Sequence, residues 1–217
     1  MPLQIVHDHR PIGGDLLALW QLDEPEEWLV QRLKDCWPER IDASHLKTTQ
    51  RRREWMASQL LMHDSQISLP TYLPNGKPVL EQGGISISHS DRLVGLAVGP
   101  GSIGLDIQKC VEKIFTVRSK FCSPEELVWA ESRVDALRTL TIIWSAKEAI
   151  FKYWGEHVDF AREIAISPIA CSDLKIDASY RGRHGHKLFR LQHLTLVDYE
   201  VVVCSDGLNT QWFAHQE

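Results

Sequence analysis

The sequence predicts an α+β protein built as two mixed halves, and three observations predict it. Short β-branched and apolar runs alternate with stretches of helical period on both sides of a Pro100-Gly101 break. Leu140, Ile143, Trp144, Ile150, Phe151 and Trp154 form one apolar stripe at a 3.6-residue period. Finally, 43% of the 217 residues are hydrophobic, which is ample for a packed core.

In the first half, extended segments are expected at Gln4 to Val6 and Leu16 to Leu22, followed by a helix from Glu26 to Cys36. A second helix, Arg51 to His63, has Trp55, Met56, Leu60 and Leu61 as its apolar face. Arg51, Arg52 and Arg53 stand in its first turn, where cations oppose the helix dipole, so they need tertiary partners or an anionic ligand. Strands follow at Ile85 to Ser88 and Leu93 to Val98, and Pro100-Gly101 closes a half spanning residues 1–101. The second half, residues 102–217, opens on an apolar strand through Asp106. Ser123-Pro124-Glu125-Glu126 carries an N-cap serine, an N1 proline and an N3 glutamate. The striped helix follows and stops at Gly155, a fitting C′ residue. Strands are expected at Phe189 to Leu196, Tyr199 to Cys204 and Thr210 to Phe213.

Composition narrows the function. A net charge of −5 and a pI near 6.1 argue against a nucleic-acid partner. The N-terminus lacks a basic and apolar leader pattern, and no run approaches the roughly 20 apolar residues needed to span a bilayer. A cytoplasmic monomer without a membrane partner is expected. The five cysteines, Cys36, Cys110, Cys122, Cys171 and Cys204, are odd in number and have no C-x-x-C spacing, against both a disulfide framework and a structural zinc. Arg183-His184-Gly185-His186-Lys187 has two imidazoles but no third ligand at useful spacing, and reads as a solvated hairpin or loop. His7 and His9 read the same way.

Chemistry concentrates in two strings about forty residues apart, Ile103-Gly104-Leu105-Asp106-Ile107-Gln108 and Trp144-Ser145-Ala146-Lys147-Glu148-Ala149-Ile150-Phe151-Lys152. A strand would hold the Asp106 carboxylate rigidly, and Glu148 and Lys152, four apart, share a helix face. A hard, oxygen-ligated cation fits between two such carboxylates. Taken alone, the helix also reads as an ordinary one, with Glu148 and Lys152 as a surface pair and Lys147 laying its stem over apolar surface. In Gly84-Ile85-Ser86-Ile87-Ser88-His89-Ser90, alternation puts His89 on the Ile85 and Ile87 face, as a half-buried histidine or a ligand-binding one.

Asn75-Gly76-Lys77-Pro78, the serine-histidine strand, the Gly104-Leu105-Asp106 strand and the Trp144 to Lys152 helix stand in a fixed order. That series resembles the 4′-phosphopantetheinyl transferases, in particular the larger surfactin-synthetase-activating type, over roughly residues 50 to 155. The resemblance implies two structurally similar α/β halves with the active site between them. It implies transfer of the phosphopantetheine arm of coenzyme A to a serine of an apo acyl or peptidyl carrier protein, releasing 3′,5′-adenosine bisphosphate. Asp106, Gln108 and Glu148 are then the Mg²⁺ ligands, with Glu148 as base and Asp106 and Lys152 completing the catalytic set. Arg51 or Arg52, Lys77, Ser88, His89, Lys147 and Lys152 become coenzyme contacts. Many relatives carry an acid where this chain has Gln108, whose amide oxygen brings no charge, so weaker magnesium binding is expected. Carrier proteins are generally acidic, and Phe115-Thr116-Val117-Arg118-Ser119-Lys120-Phe121 offers a basic and apolar patch between the two carboxylate strings. Two other functions use the same residues: a magnesium-dependent phosphohydrolase and a non-catalytic coenzyme A-binding module.

Overall fold

The structure, a computed structural model, describes residues 4–7, 16–37, 43 and 45–206, the first four through their backbone. Along the chain run β1 (Gln4–His7), β2 (Leu16–Gln21), α1 (Glu26–Cys36), α2 (Thr49–Asp64), β3 (Thr71–Tyr72), β4 (Pro78–Val79), β5 (Gly84–Ser90), β6 (Leu93–Gly99) and β7 (Ile103–Lys109). Then come α3 (Ile114–Val117), a 3₁₀ turn at Arg118–Lys120, α4 (Pro124–Glu131), α5 (Ala136–Trp154), α6 (Phe160–Glu163), β8 (Ile164–Ile166), β9 (Lys175–Gly182), β10 (Gly185–Leu196) and β11 (Tyr199–Ser205). The result is a mixed protein with two main antiparallel sheets, one ordered β1-β2-β6-β5 and one ordered β7-β11-β10-β9-β8.

Period-2 alternation divides the core into three layers. On β2, Leu17 and Leu19 face the second sheet, where they meet Leu105, Ile107, Val201 and Val203. Ala18 and Trp20 point the other way, into a cluster with Leu29 and Leu33 of α1 and Met56, Leu60 and Leu61 of α2. The far face of the second sheet, through Val202 and Cys204, is covered by Ile142, Ile143, Ala146 and Ile150 of α5. On β7, Leu105 and Ile107 belong to the layer between the sheets, so Gly104, Asp106 and Gln108 face α5. Helix and strand touch there: a Cβ added to Gly104 would lie 1.9 Å from the Ala149 carbonyl oxygen.

β5 and β7, the neighbouring edges of the two sheets, are joined by side chains and not by a backbone ladder. The hydroxyls of Ser86, Ser88 and Ser90 accept the backbone N–H groups of Leu105, Ile107 and Lys109 at 2.9, 3.1 and 3.0 Å. An edge strand otherwise leaves such donors unpaired. The repeated offset of 19 residues sets the two strands parallel at the seam.

The expected capping box is present: Ser123 accepts from Glu126 N–H, and the Glu126 carboxylate accepts from Ser123 N–H. Gly155 ends α5 at φ 70°, in the left-handed region. The sequence reading omits β9 and starts β10 four residues late. In β9 the buried Ile176, Ala178 and Tyr180 alternate with Lys175, Asp177 and Arg181, a pattern whose alanine and charges weaken the strand signal. The strand expected at Thr210 to Phe213, like His9, lies outside the described residues.

Candidate active site

The site lies where the β5–β7 seam passes under α5. Asp106 is only 5% exposed. Its Oδ1 accepts from Lys152 Nζ at 2.7 Å and from the Ser88 hydroxyl at 3.3 Å. Lys152 Nζ also donates to Ser88 Oγ at 3.0 Å, so Ser88 joins the strand, the helix and the carboxylate. Asp106 Oδ2 is buried and has no hydrogen-bond partner among the described residues.

Glu148 lies one turn before Lys152. Burial, reinforced by the nearby Asp106 carboxylate and opposed by Lys152, pushes its carboxyl up to about 7. Two carboxylates therefore lie close together, and the Lys152 ammonium beside them already serves Asp106. Beside them Gln108 uses its amide N–H₂ on its neighbour Lys109's carbonyl at 3.3 Å, leaving the amide oxygen available. Among the described residues no group of three His, Cys, Asp or Glu side chains is disposed to hold a metal. What is present is two carboxylates, one with an orphaned buried oxygen, plus an amide, an all-oxygen set that fits a hard cation.

His89, on β5, lies against α2. Its Nδ1 lies 3.2 Å from Glu54 Oε2, and Gln50 Nε2 donates to the other Glu54 oxygen at 2.8 Å. Burial lowers the imidazole pKa most; Glu54 raises it, Arg51 and Lys152 lower it, and Asp106 raises it, with a net downward shift. Glu54 is a site residue that sequence reasoning missed. Within an otherwise amphipathic helix, a glutamate three residues after Arg51 looks like surface charge, and only the fold brings it to a histidine 35 positions away.

The three arginines of α2 separate cleanly. Arg52 is held by Glu26 of α1, with Nη2 to Oε2 at 3.1 Å, and Arg53 donates to the Leu22 and Glu24 carbonyls. Arg51 is exposed, and its guanidinium has no hydrogen-bond or ion-pair partner among the described residues, while its charge is felt at His89. Of the two candidates for a coenzyme contact, Arg52 is occupied and Arg51 is free.

Two of the expected coenzyme contacts, Lys147 and Lys77, have partners within the protein. Lys147 does not reach solvent or the carboxylates: it is 0% exposed. Its ammonium donates to Glu126 Oε2 at 2.6 Å and to the Phe121, Phe160 and Ile164 carbonyls, each at 2.8 Å. Glu126 in turn accepts Ile166 N–H at 2.8 Å, so the pair ties α4, α5 and β8 together. The reason lies in its position at the centre of the apolar stripe, where full pairing is the condition for burying a charge. Lys77 donates to the Tyr153 carbonyl at 2.8 Å while Asn75 Nδ2 donates to the Gly155 carbonyl at 2.7 Å. The Asn75-Gly76-Lys77-Pro78 turn thus caps the C-terminal end of α5, where a cation also complements the helix dipole. Lys77 lines a cavity of about 290 Å³ with Val79, Gly84, Ile85, Pro100 and Ile103. That cavity sits at the start of β5 and β7; Ser88 and Asp106 lie further along the same strands.

The Phe115 to Phe121 segment is less available than its composition implied. Phe115 and Val117 pack against the core and Phe121 is buried within it, and Arg118 is engaged by Glu131 and the Phe115 carbonyl. Lys120 remains exposed.

Residues 102–204, which include Asp106, Gln108, Glu148 and Lys152, match the family model of the 4′-phosphopantetheinyl transferase superfamily. No curated protein matches the chain. The mixed architecture of helices over antiparallel sheets is consistent with that superfamily's fold.

Proposed function

We propose that this protein transfers the 4′-phosphopantetheine arm of coenzyme A to a serine of an apo acyl or peptidyl carrier protein, as the larger surfactin-synthetase-activating transferases do. The observation that carries the reading is the convergence of Asp106, with its orphaned buried Oδ2, on Glu148, whose carboxyl titrates near 7, inside the stretch that matches the superfamily.

Asp106, Glu148 and the Gln108 amide oxygen are the groups that would hold Mg²⁺, which when bound supplies positive charge to the pyrophosphate oxygens. Glu148, directly or through one water, takes the proton of the carrier's serine hydroxyl, a poor nucleophile at its own pKa. The serine oxygen bonds to the β-phosphorus. The bond from that phosphorus to the bridging oxygen breaks, and 3′,5′-adenosine bisphosphate leaves with the electron pair. Charge growing on the leaving group is met by the Lys152 ammonium and by His89, and Arg51 is placed to pair with a phosphate at the nucleotide end. The support for this division of labour is that Arg52, Lys147 and Lys77 are occupied elsewhere, whereas Lys152 contacts Asp106 and both Lys152 and Arg51 act on His89.

Release of adenosine bisphosphate from coenzyme A and Mg²⁺, followed with and without an apo carrier protein, tests the reading. Carrier-dependent release supports it. Equal release without carrier makes the protein a phosphohydrolase, and coenzyme A binding with no release under any condition makes it a binding module.

A further inference from the structure

Glu54 is a buried carboxylate that the transfer chemistry described above does not use. It is 7% exposed and lies on α2 among Met56, Ala57 and Ser58, all buried. One oxygen is taken by Gln50 at 2.8 Å, and Gln50 is itself anchored to the Asp91 carbonyl at the β5–β6 turn. The other oxygen lies 3.2 Å from His89 Nδ1. A buried carboxylate on one ring nitrogen decides which tautomer the imidazole adopts and how the ring is turned. With Nδ1 facing Glu54 and the side chain 37% exposed, Nε2 is the ring nitrogen left to meet a ligand.

We infer that Glu54, steadied by Gln50, is a positioning residue that turns His89 into a phosphate-binding donor of fixed direction. The inference rests on the proposed transferase reading for the identity of the anion, the pyrophosphate of coenzyme A. In the free protein the ring carries one proton, on Nδ1. When the anion arrives, the ring takes up a second proton and Nε2–H donates to a phosphate oxygen while Nδ1–H stays on Glu54. The charged groups facing the ring are Glu54 and Arg51 from α2, Lys152 from α5 and Asp106 from β7. Arg51 and Lys152 oppose a cationic ring, and the carboxylate of Glu54 offsets them. Removing that charge leaves the ring neutral or wrongly turned.

The test combines ring spectroscopy with a double-mutant cycle. Nitrogen-15 NMR of His89 in the free parent should show the Nδ1–H tautomer, and Glu54→Gln, which keeps the shape and the contact to Gln50 but not the charge, should shift that population toward Nε2–H. Calorimetric binding of coenzyme A should weaken about tenfold in Glu54→Gln, the size of one charge-assisted hydrogen bond. The same change made in a His89→Ala background should have no further effect. Glu54→Asp should fail to rescue, its carboxylate being one methylene too short. An unchanged tautomer overturns the inference whatever ligand the protein binds, as does an affinity loss of equal size with and without His89. If the parent does not bind coenzyme A at all, the proposed function falls and the phosphate contact falls with it; binding by the parent with uncoupled variants overturns this inference alone.

Discussion

Lys152 Nζ lies 2.7 Å from Asp106 Oδ1 and 3.0 Å from Ser88 Oγ, so one ammonium clamps a helix to both strands of the seam. Ser88 also receives the Ile107 N–H at 3.1 Å, and its loss removes three interactions together. Ser88→Ala should destabilise the fold by about 1–3 kcal/mol, because a buried backbone donor loses its acceptor. It should also lower turnover by releasing Asp106. Denaturant unfolding alongside a rate measurement checks this; an unchanged midpoint would mean that the seam does not depend on the serine.

The Glu148 carboxyl, raised from 4.5 to about 7, makes a signed prediction about pH. A group whose pKa is higher in the folded than in the unfolded state stabilises the fold below its unfolded value, and that contribution is lost as pH climbs through the folded value. Glu148→Gln, neutral throughout, should therefore match the parent's stability below pH 4.5 and exceed it by up to about 2–3 kcal/mol above pH 7. Mg²⁺ should narrow the gap by competing with the proton. Thermal melts of both proteins across pH, with and without Mg²⁺, decide it, and a constant difference would show that Glu148 is not the group that titrates.

The buried pairing of Lys147 with Glu126 can be tested independently of catalysis. Removing one partner of a buried pair leaves the other unpaired, at a cost of about 3–5 kcal/mol. Lys147→Met should thus lower stability sharply, and Glu126→Gln somewhat less, while whatever folded protein remains binds coenzyme A as the parent does. Weakened binding at full stability would return Lys147 to the coenzyme site.

Gln108 brings an uncharged amide to the two carboxylates of the proposed magnesium site. Gln108→Glu should lower the magnesium concentration giving half-maximal rate, since a third carboxylate strengthens a hard-cation site. A magnesium titration with an unmoved midpoint would place residue 108 outside the ion's coordination.

How much of this was legible in the sequence follows from where each signal resides. The α4 capping box, the Gly155 stop and the α5 stripe are local patterns, and each forms as spacing predicts. Asp106 on its strand, and Glu148 and Lys152 one helical turn apart, were equally legible, because period 2 and period 3.6 fix which side chains share a face. What the sequence hid is long-range pairing. Glu126 waits 21 residues for Lys147, and Glu54 waits 35 for His89, so a buried partner looked like surface charge and a buried lysine like a snorkelling one. Arg51 and Arg52 are neighbours in one basic run, and only the packing of α1 against α2 decides that Arg52 is consumed by Glu26.

The most direct test of the central claim is the mass of an apo carrier protein after incubation with this protein, coenzyme A and Mg²⁺. A gain of about 340 Da on the acceptor serine, abolished by Asp106→Ala in a variant that still melts cooperatively, is the result predicted for phosphopantetheine transfer through a covalent serine phosphodiester. An unmodified carrier in the presence of the folded parent, across fatty-acid, polyketide and peptidyl carriers, or a modification that persists in Asp106→Ala within about threefold of the parent rate, would contradict it.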